Sequence, residues 1–197
     1  MYQPAHFQET RLPVLHDLIR AYPLATLVTL DTSGLVANLI PMEIDASVGE
    51  LGVLRGHVAR GNPVWKSHRA EVEAMALFAG PHDYITPSYY ATKAETGKVV
   101  PTWNYATVHA YGPLRAIDDP AWLRAFLEQL THRHEAELPA HQPRWQVSDA
   151  PASYIDGLLQ AIVGIEIPIT RFEGKWKVSQ NRSVADRAGV AAGLAER

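Results

Sequence analysis

Leu24-Ala25-Thr26-Leu27-Val28-Thr29-Leu30 is a short apolar run of residues that suit a strand, and Asp31-Thr32-Ser33-Gly34 follows it directly. Gly34 can take the positive φ that closes a hairpin, so the chain is expected to turn back there. The next stretch, Leu35 to Asp45, alternates, with Val36, Ile40, Met42 and Ile44 on one face. A second turn at Gly49 leads into Leu51-Gly52-Val53-Leu54-Arg55-Gly56-His57-Val58. Three such runs read as an antiparallel meander.

Upstream, Leu12, Leu15, Leu18 and Ile19 recur at helical spacing until Pro23. Downstream, Asn62 suits a helix cap and Pro63 the first helical position, so a helix is expected to begin there. Val72 to Phe78 reads as a strand ended by Gly80-Pro81, and His82 to Gly97 as a loop. Val99 to Ile117 reads as one long strand, with Trp103, Tyr105, Thr107, His109 and Tyr111 on one face and Thr102, Asn104 and Val108 on the other. Asp118-Asp119-Pro120 opens a helix carrying Trp122, Phe126 and Leu130. Pro139 to Pro151 is loop, and Ser148 or Asp149 caps a helix running through Tyr154, Leu158 and Ile162. Ile165 to Ser179 is strand again, broken near Glu173-Gly174, and a small-residue helix follows Ser183. Similar strands, hairpin turns and a few helices predict a mainly β (α+β) chain, a closed or split antiparallel barrel with flanking helices. With no repeat or long linker, residues 1–197 are expected to form a single domain with a C-terminal helical tail.

Composition narrows the function. The 197 residues contain no cysteine, which excludes disulfides and thiol catalysis. A net charge of −3 is unlike a basic nucleic-acid module. No apolar run approaches the roughly 20 residues of a membrane helix, and a cytoplasmic location without membrane partners is expected. His132 and His134, two apart on a helix, point to different faces and do not chelate together; no metal site is expected. Neither a phosphate loop, nor a dinucleotide fingerprint, nor a serine triad is present.

Three segments carry polar chemistry. In Arg55-Gly56-His57-Val58-Ala59-Arg60-Gly61-Asn62-Pro63 a strand delivers donors into a helix start, which suits an anion; equally, Asn62 caps the helix and Arg60 pairs with a surface carboxylate. In Phe172-Glu173-Gly174-Lys175-Trp176-Lys177-Val178-Ser179-Gln180-Asn181-Arg182, Lys175, Lys177 and Ser179 share one face of a strand. That row is either a donor surface or lysine protection of a sheet edge. The aromatic stretches Tyr84 to Tyr90 and Val100 to Tyr105 can hold a flat heteroaromatic ligand or serve as core. Core is the simpler reading for Trp103 and Tyr105, while Thr102 and Asn104 stay open.

In order along the chain, these segments resemble one family. Gly56-His57-Val58-Ala59-Arg60 with Asn62-Pro63 and Trp65, Gly80-Pro81-His82 with Tyr84-Ile85, and Val100-Pro101-Thr102-Trp103-Asn104-Tyr105 with Val108-His109 all match. So do Glu173-Gly174-Lys175-Trp176-Lys177, Ser179-Gln180-Asn181-Arg182 and Ala185-Asp186-Arg187-Ala188-Gly189-Val190. The chain thus resembles the PaiB-type FMN-binding negative transcriptional regulators. The resemblance implies a split β-barrel of pyridoxamine-phosphate-oxidase type, FMN as cofactor, a homodimer, and repression of genes. It makes His57, Arg60 and Asn62 candidates for the flavin phosphate and ribityl chain. Thr102, Asn104, Lys175, Lys177 and Gln180 become candidates for the isoalloxazine edge or phosphate. Two departures stand out: Leu39 occupies the place of a family histidine, and Thr86-Pro87-Ser88-Tyr89-Tyr90 replaces Ser-Pro-Ser-Trp-Tyr. DNA as a partner would need Lys175, Lys177, Arg182 and Arg187 to gather on one face. The alternative function is an FMN-dependent oxidoreductase of the same fold, with His109 or Tyr105 serving a substrate.

Overall fold

A computed structural model describes all 197 residues. In chain order the elements are β1 (Gln8–Glu9), α1 (Leu12–Ala21), β2 (Leu24–Asp31), β3 (Gly34–Pro41), β4 (Glu43–Asp45), β5 (Val53–Ala59), α2 (Val64–Ser67), β6 (Ala74–Ile85) and α3 (Thr92–Thr96). They continue with β7 (Thr102–Gly112), β8 (Arg115–Ile117), α4 (Pro120–Ala136), α5 (Ala152–Gln160), β9 (Ile162–Pro168), β10 (Arg171–Lys177) and α6 (Val184–Ala195). None of the helices is long and apolar enough to cross a membrane. The chain divides into two compact units.

The first unit comprises Met1–Tyr22, Leu77–His109 and Phe172–Arg197. Its strands run in the order β1-β10-β7-β6, and β1 is antiparallel to β10. Ile19, Phe78, Ile85 and Val108 are fully buried in it. Two glycines here are packing positions rather than breaks. At Gly80 a Cβ would lie 2.9 Å from Leu18 Cδ1 and 3.1 Å from the Ala106 carbonyl, so β6 runs on through Gly80-Pro81 to Ile85 instead of stopping. At Gly174 a Cβ would lie 2.3 Å from Leu15 Cδ2, so the glycine admits α1 and does not interrupt β10. The predicted break near Glu173-Gly174 falls instead at Ile169-Thr170, between β9 and β10. Ser183 caps α6 by accepting from the Asp186 amide at 3.1 Å, and buried Asp186 in turn accepts from the Thr92 amide and hydroxyl at 3.0 Å.

The second unit comprises Pro23–Ala76 and Ala110–Arg171. β2 and β3 form the expected hairpin, with Asp31 opposite Gly34 and Gly34 at φ 116°. Asp31 braces the turn by accepting from the Ser33 amide and hydroxyl, both at 2.6 Å. The four-stranded sheet β4-β5-β9-β8 is antiparallel throughout. The strand expected over Leu35 to Asp45 splits at Met42, whose amide donates to the Pro23 carbonyl at 2.9 Å and whose side chain is fully buried. The run to Ile117 splits likewise at Pro113-Leu114. α4 starts as expected, Asp119 accepting from the Ala121 amide at 2.8 Å. The expected cap of α5 is corrected: Asp149 accepts from the Gln146 amide and closes a preceding 3-10 turn, while the helix itself begins after Pro151.

Gly112 gives a direct test of the packing in this unit. A Cβ there would sit 2.0 Å from the Pro168 carbonyl oxygen, a backbone atom at the end of β9. Gly112→Ala is therefore expected to destabilise the protein by about 1–3 kcal/mol, read as a lowered urea midpoint. An unchanged midpoint would show that the strand end yields freely.

Candidate functional site

His57, Arg60 and Asn62 lie in the second unit, at the exit of β5. His57 stands opposite Gly164 of β9, and its ring meets Phe126 edge-on at 6.1 Å. Phe126 stacks on Trp122 at 5.3 Å, and Trp122 covers Gly164, where a Cβ would lie 2.4 Å from the indole. Burial among these rings pushes the His57 pKa below its ordinary value, because a charged imidazole there would be poorly solvated. A neutral imidazole has one N–H to give, which limits His57 as an anion ligand.

Arg60 is committed to its own fold. Its guanidinium donates to both Asp118 oxygens at 2.8 and 2.6 Å, to the Gln160 carbonyl at 2.7 Å and to the Ile162 carbonyl at 3.0 Å. The paired guanidinium holds the Asp118 carboxyl below the usual carboxylate range. Asn62 accepts from the Val64 amide at 3.0 Å and donates to Asn38 Oδ1 at 2.9 Å, while Asn38 Nδ2 is buried without an acceptor. The helix expected here is a single turn, Val64–Ser67, so its dipole adds little to anion binding. Asn38 was not singled out from the sequence; the signal is an amide inside the apolar run Val36 to Ile40.

Thr102, Asn104, Lys175, Lys177 and Gln180 lie in the first unit, on β7, on β10 and just beyond it. Lys177 Nζ donates to Thr102 Oγ1 at 2.5 Å and to the Trp103 carbonyl at 2.8 Å. Lys175, 7% exposed, donates to the Tyr2 carbonyl at 2.9 Å. The two ammonium groups stand 5.3 and 5.9 Å from the centre of the same Tyr105 ring. Neither has a carboxylate partner; Glu173, the acid on their strand, pairs with the terminal ammonium at 2.5 Å and lies 3.9 Å from His109. Asn104 and Ser179 share hydrogen bonds of 3.0 and 3.1 Å. Gln180 folds back on its own chain, accepting from the Val178 amide at 2.8 Å and donating to the Trp176 carbonyl. That brace holds buried Ser179 at φ 65°, the single non-glycine residue with positive φ in the chain. Thr102 thus joins Lys177 and Asn104 joins Ser179, whereas Gln180 serves the turn.

Comparison with known proteins sets these groups in context. A family model described as "Putative FMN-binding domain" matches residues 1–171. A protein of Emericella nidulans designated AN0679 is 41% identical, over 98% of this chain and 90% of its own. The Bacillus subtilis protein named Protease synthase and sporulation protein PAI 2 is 28% identical, over 96% of this chain and 87% of its own. Among solved structures, the FAD and heme binding protein from Mycobacterium smegmatis superposes with a TM-score of 0.60 at 18% identity, over 94% of this chain and 80% of its own. The fold is α+β with antiparallel sheets, of the flavin-binding split-barrel kind that the resemblance implied.

Two half-buried histidines give this arrangement a pH signature. His57 and His109 both have pKa values lowered, first of all by burial, so in the native state they stay neutral below the 6.5 at which the unfolded chain takes up protons. Their contribution to stability is complete above that value and is lost as pH falls below it toward the native pKa values. The unfolding midpoint is expected to drop between about pH 7 and pH 5, and more shallowly in His57→Gln. Parallel profiles for the two proteins would remove His57 from this effect.

Proposed function

Because the chain belongs to the FMN-binding domain family, we propose that it holds FMN with the phosphate at Lys175 and Lys177. The observation that carries this reading is a pair of ammonium groups on one Tyr105 ring, one of them buried, with no carboxylate to balance them. Burying a cation without a counter-charge is costly, and a phosphate supplies that charge from the ligand. The Thr102 hydroxyl fixes the Lys177 ammonium. Arg60 would have to leave Asp118 to reach a phosphate, and we assign it to positioning the β5 exit. Bound FMN would supply reversible electron transfer.

The role we propose for this flavoprotein is negative transcriptional regulation as a cytoplasmic homodimer. Support for the regulatory part comes from the Bacillus subtilis relative, whose name concerns protease synthesis and sporulation. The net charge of −3 favours action through a partner protein over direct DNA binding. An FMN-dependent oxidoreductase of the same fold would use the same cofactor groups, so one titration tests what both readings share. Lys177→Ala is expected to weaken FMN binding by about 1.5–3 kcal/mol and to leave riboflavin binding unchanged, measured by quenching of flavin fluorescence. Equal losses for the two flavins, or none, would take the phosphate away from Lys177.

The homodimer reading rests on the β2–β3 hairpin. Leu35, Ala37, Leu39 and Pro41 are exposed on one face, Leu35 at 80% and Leu39 at 69%. Cross-strand register sets Thr26 and Val28 beside them. An apolar row of this kind suits a twofold contact with a second copy. Leu39→Asp should shift the protein toward the monomer by at least tenfold in dissociation constant, read by sedimentation equilibrium. A dimer of undiminished affinity would place the contact on another surface.

A further inference from the structure

The first unit contains an open cleft of about 480 Å³, within the size range of small-molecule sites. Tyr105 and Trp176 line it together with Val190, Ala191 and Leu194 of α6. Its polar groups are few. The Asn104–Ser179 pair is one, and Ser179 is held in a left-handed conformation that a serine adopts only when its surroundings enforce it. At the rim stand Arg187, His82 and Asp83. Asp83 is already paired with Arg197 at 2.5 Å, whereas Arg187 has no carboxylate partner. The rim therefore carries one guanidinium in excess over an otherwise apolar body.

We propose that this cleft binds a flat aromatic carboxylate, its ring in the apolar body and its carboxylate on the Arg187 guanidinium. A guanidinium fork matches one carboxylate in two parallel hydrogen bonds. A cationic ligand would meet Arg187 with like charge, and a neutral one would leave the fork unused. A short aliphatic acid would leave the aromatic and α6 walls unfilled. The inference rests on the cleft and its charges, and Tyr105 is the wall it shares with the ammonium groups proposed for FMN.

The test is calorimetric titration of the full-length protein with 1-naphthoate and with its neutral analogue 1-naphthalenemethanol, in flavin-free and FMN-loaded samples. Naphthoate is expected to bind one per chain, at least tenfold tighter than the alcohol, with the same affinity in both samples. It should shift the Trp176 indole N–H resonance. Arg187→Gln should abolish the tenfold preference while keeping the affinity for the alcohol. Ala191→Phe, at an exposed position, should weaken both ligands at least tenfold by filling the cleft. Equal affinity for acid and alcohol in the unmodified protein, displacement of naphthoate by FMN, or binding that leaves Trp176 unmoved would overturn the proposal. These three outcomes need no variant, so a misfolded substitution does not blunt the test. Loss of FMN binding in Lys177→Ala bears on the flavin site alone.

Discussion

With no side chain at Gly174, Leu15 of α1 and the Glu9 carbonyl of β1 close onto β10, and a Cβ there would overlap both, at 2.3 and 2.7 Å. This close approach fixes which way β10 faces. Because side chains alternate along a strand, Phe172 and Trp176 must share the Gly174 side, and Glu173, Lys175 and Lys177 the other. A one-residue slip would send both lysines toward α1 and away from the Tyr105 ring. The placement of two ammonium groups on Tyr105 is thus a consequence of helix packing on the opposite face. Any ligand those ammonium groups hold is positioned by the same constraint.

The second unit uses its charges differently. Arg60 and Asp118 are both partly exposed, and an isolated pair of that kind adds about 0–1 kcal/mol. The fork does more through the Gln160 and Ile162 carbonyls, because it ties the β5 exit to the end of α5 and to the start of β9. Asn62 then closes the one-turn α2 and reaches Asn38 on β3. Most donors at this corner are spent on holding it together. The buried amide hydrogens of Asn38 Nδ2 are the exception, and an orphaned donor of that kind costs about 1–3 kcal/mol until it is satisfied.

Much of this was legible in the amino-acid order, and the misreadings share a cause. The β2–β3 hairpin was readable because Asp31 and Gly34 act locally, one as a brace and the other through its φ. The caps of α4 and α6 were readable for the same reason. Gly80 and Gly174 look like breaks in a sequence, yet each is a surface against which a distant segment packs. Strand boundaries at Met42 and Ile169 depend on bonds to Pro23 and Gly52, partners far off in the sequence. At the site, the lysine row followed from alternation, whereas the occupation of Arg60 by Asp118 was open between two readings. Gln180 looked like a ligand group and is a turn brace, since nothing local distinguishes an amide aimed outward from one folded back.

Ser179 shows why that brace matters. A left-handed serine costs roughly 1–2 kcal/mol relative to ordinary backbone, and glycine would remove the cost at no steric price to the turn. The sequence keeps serine, and the hydroxyl is what glycine lacks: it is the group that meets Asn104. Gln180 supplies two hydrogen bonds across the same turn, which offset the strain. The strained backbone, the brace and the amide partner therefore act together to hold one hydroxyl, buried, at the end of the strand that carries the lysines. A turn built only to reverse the chain would need none of the three.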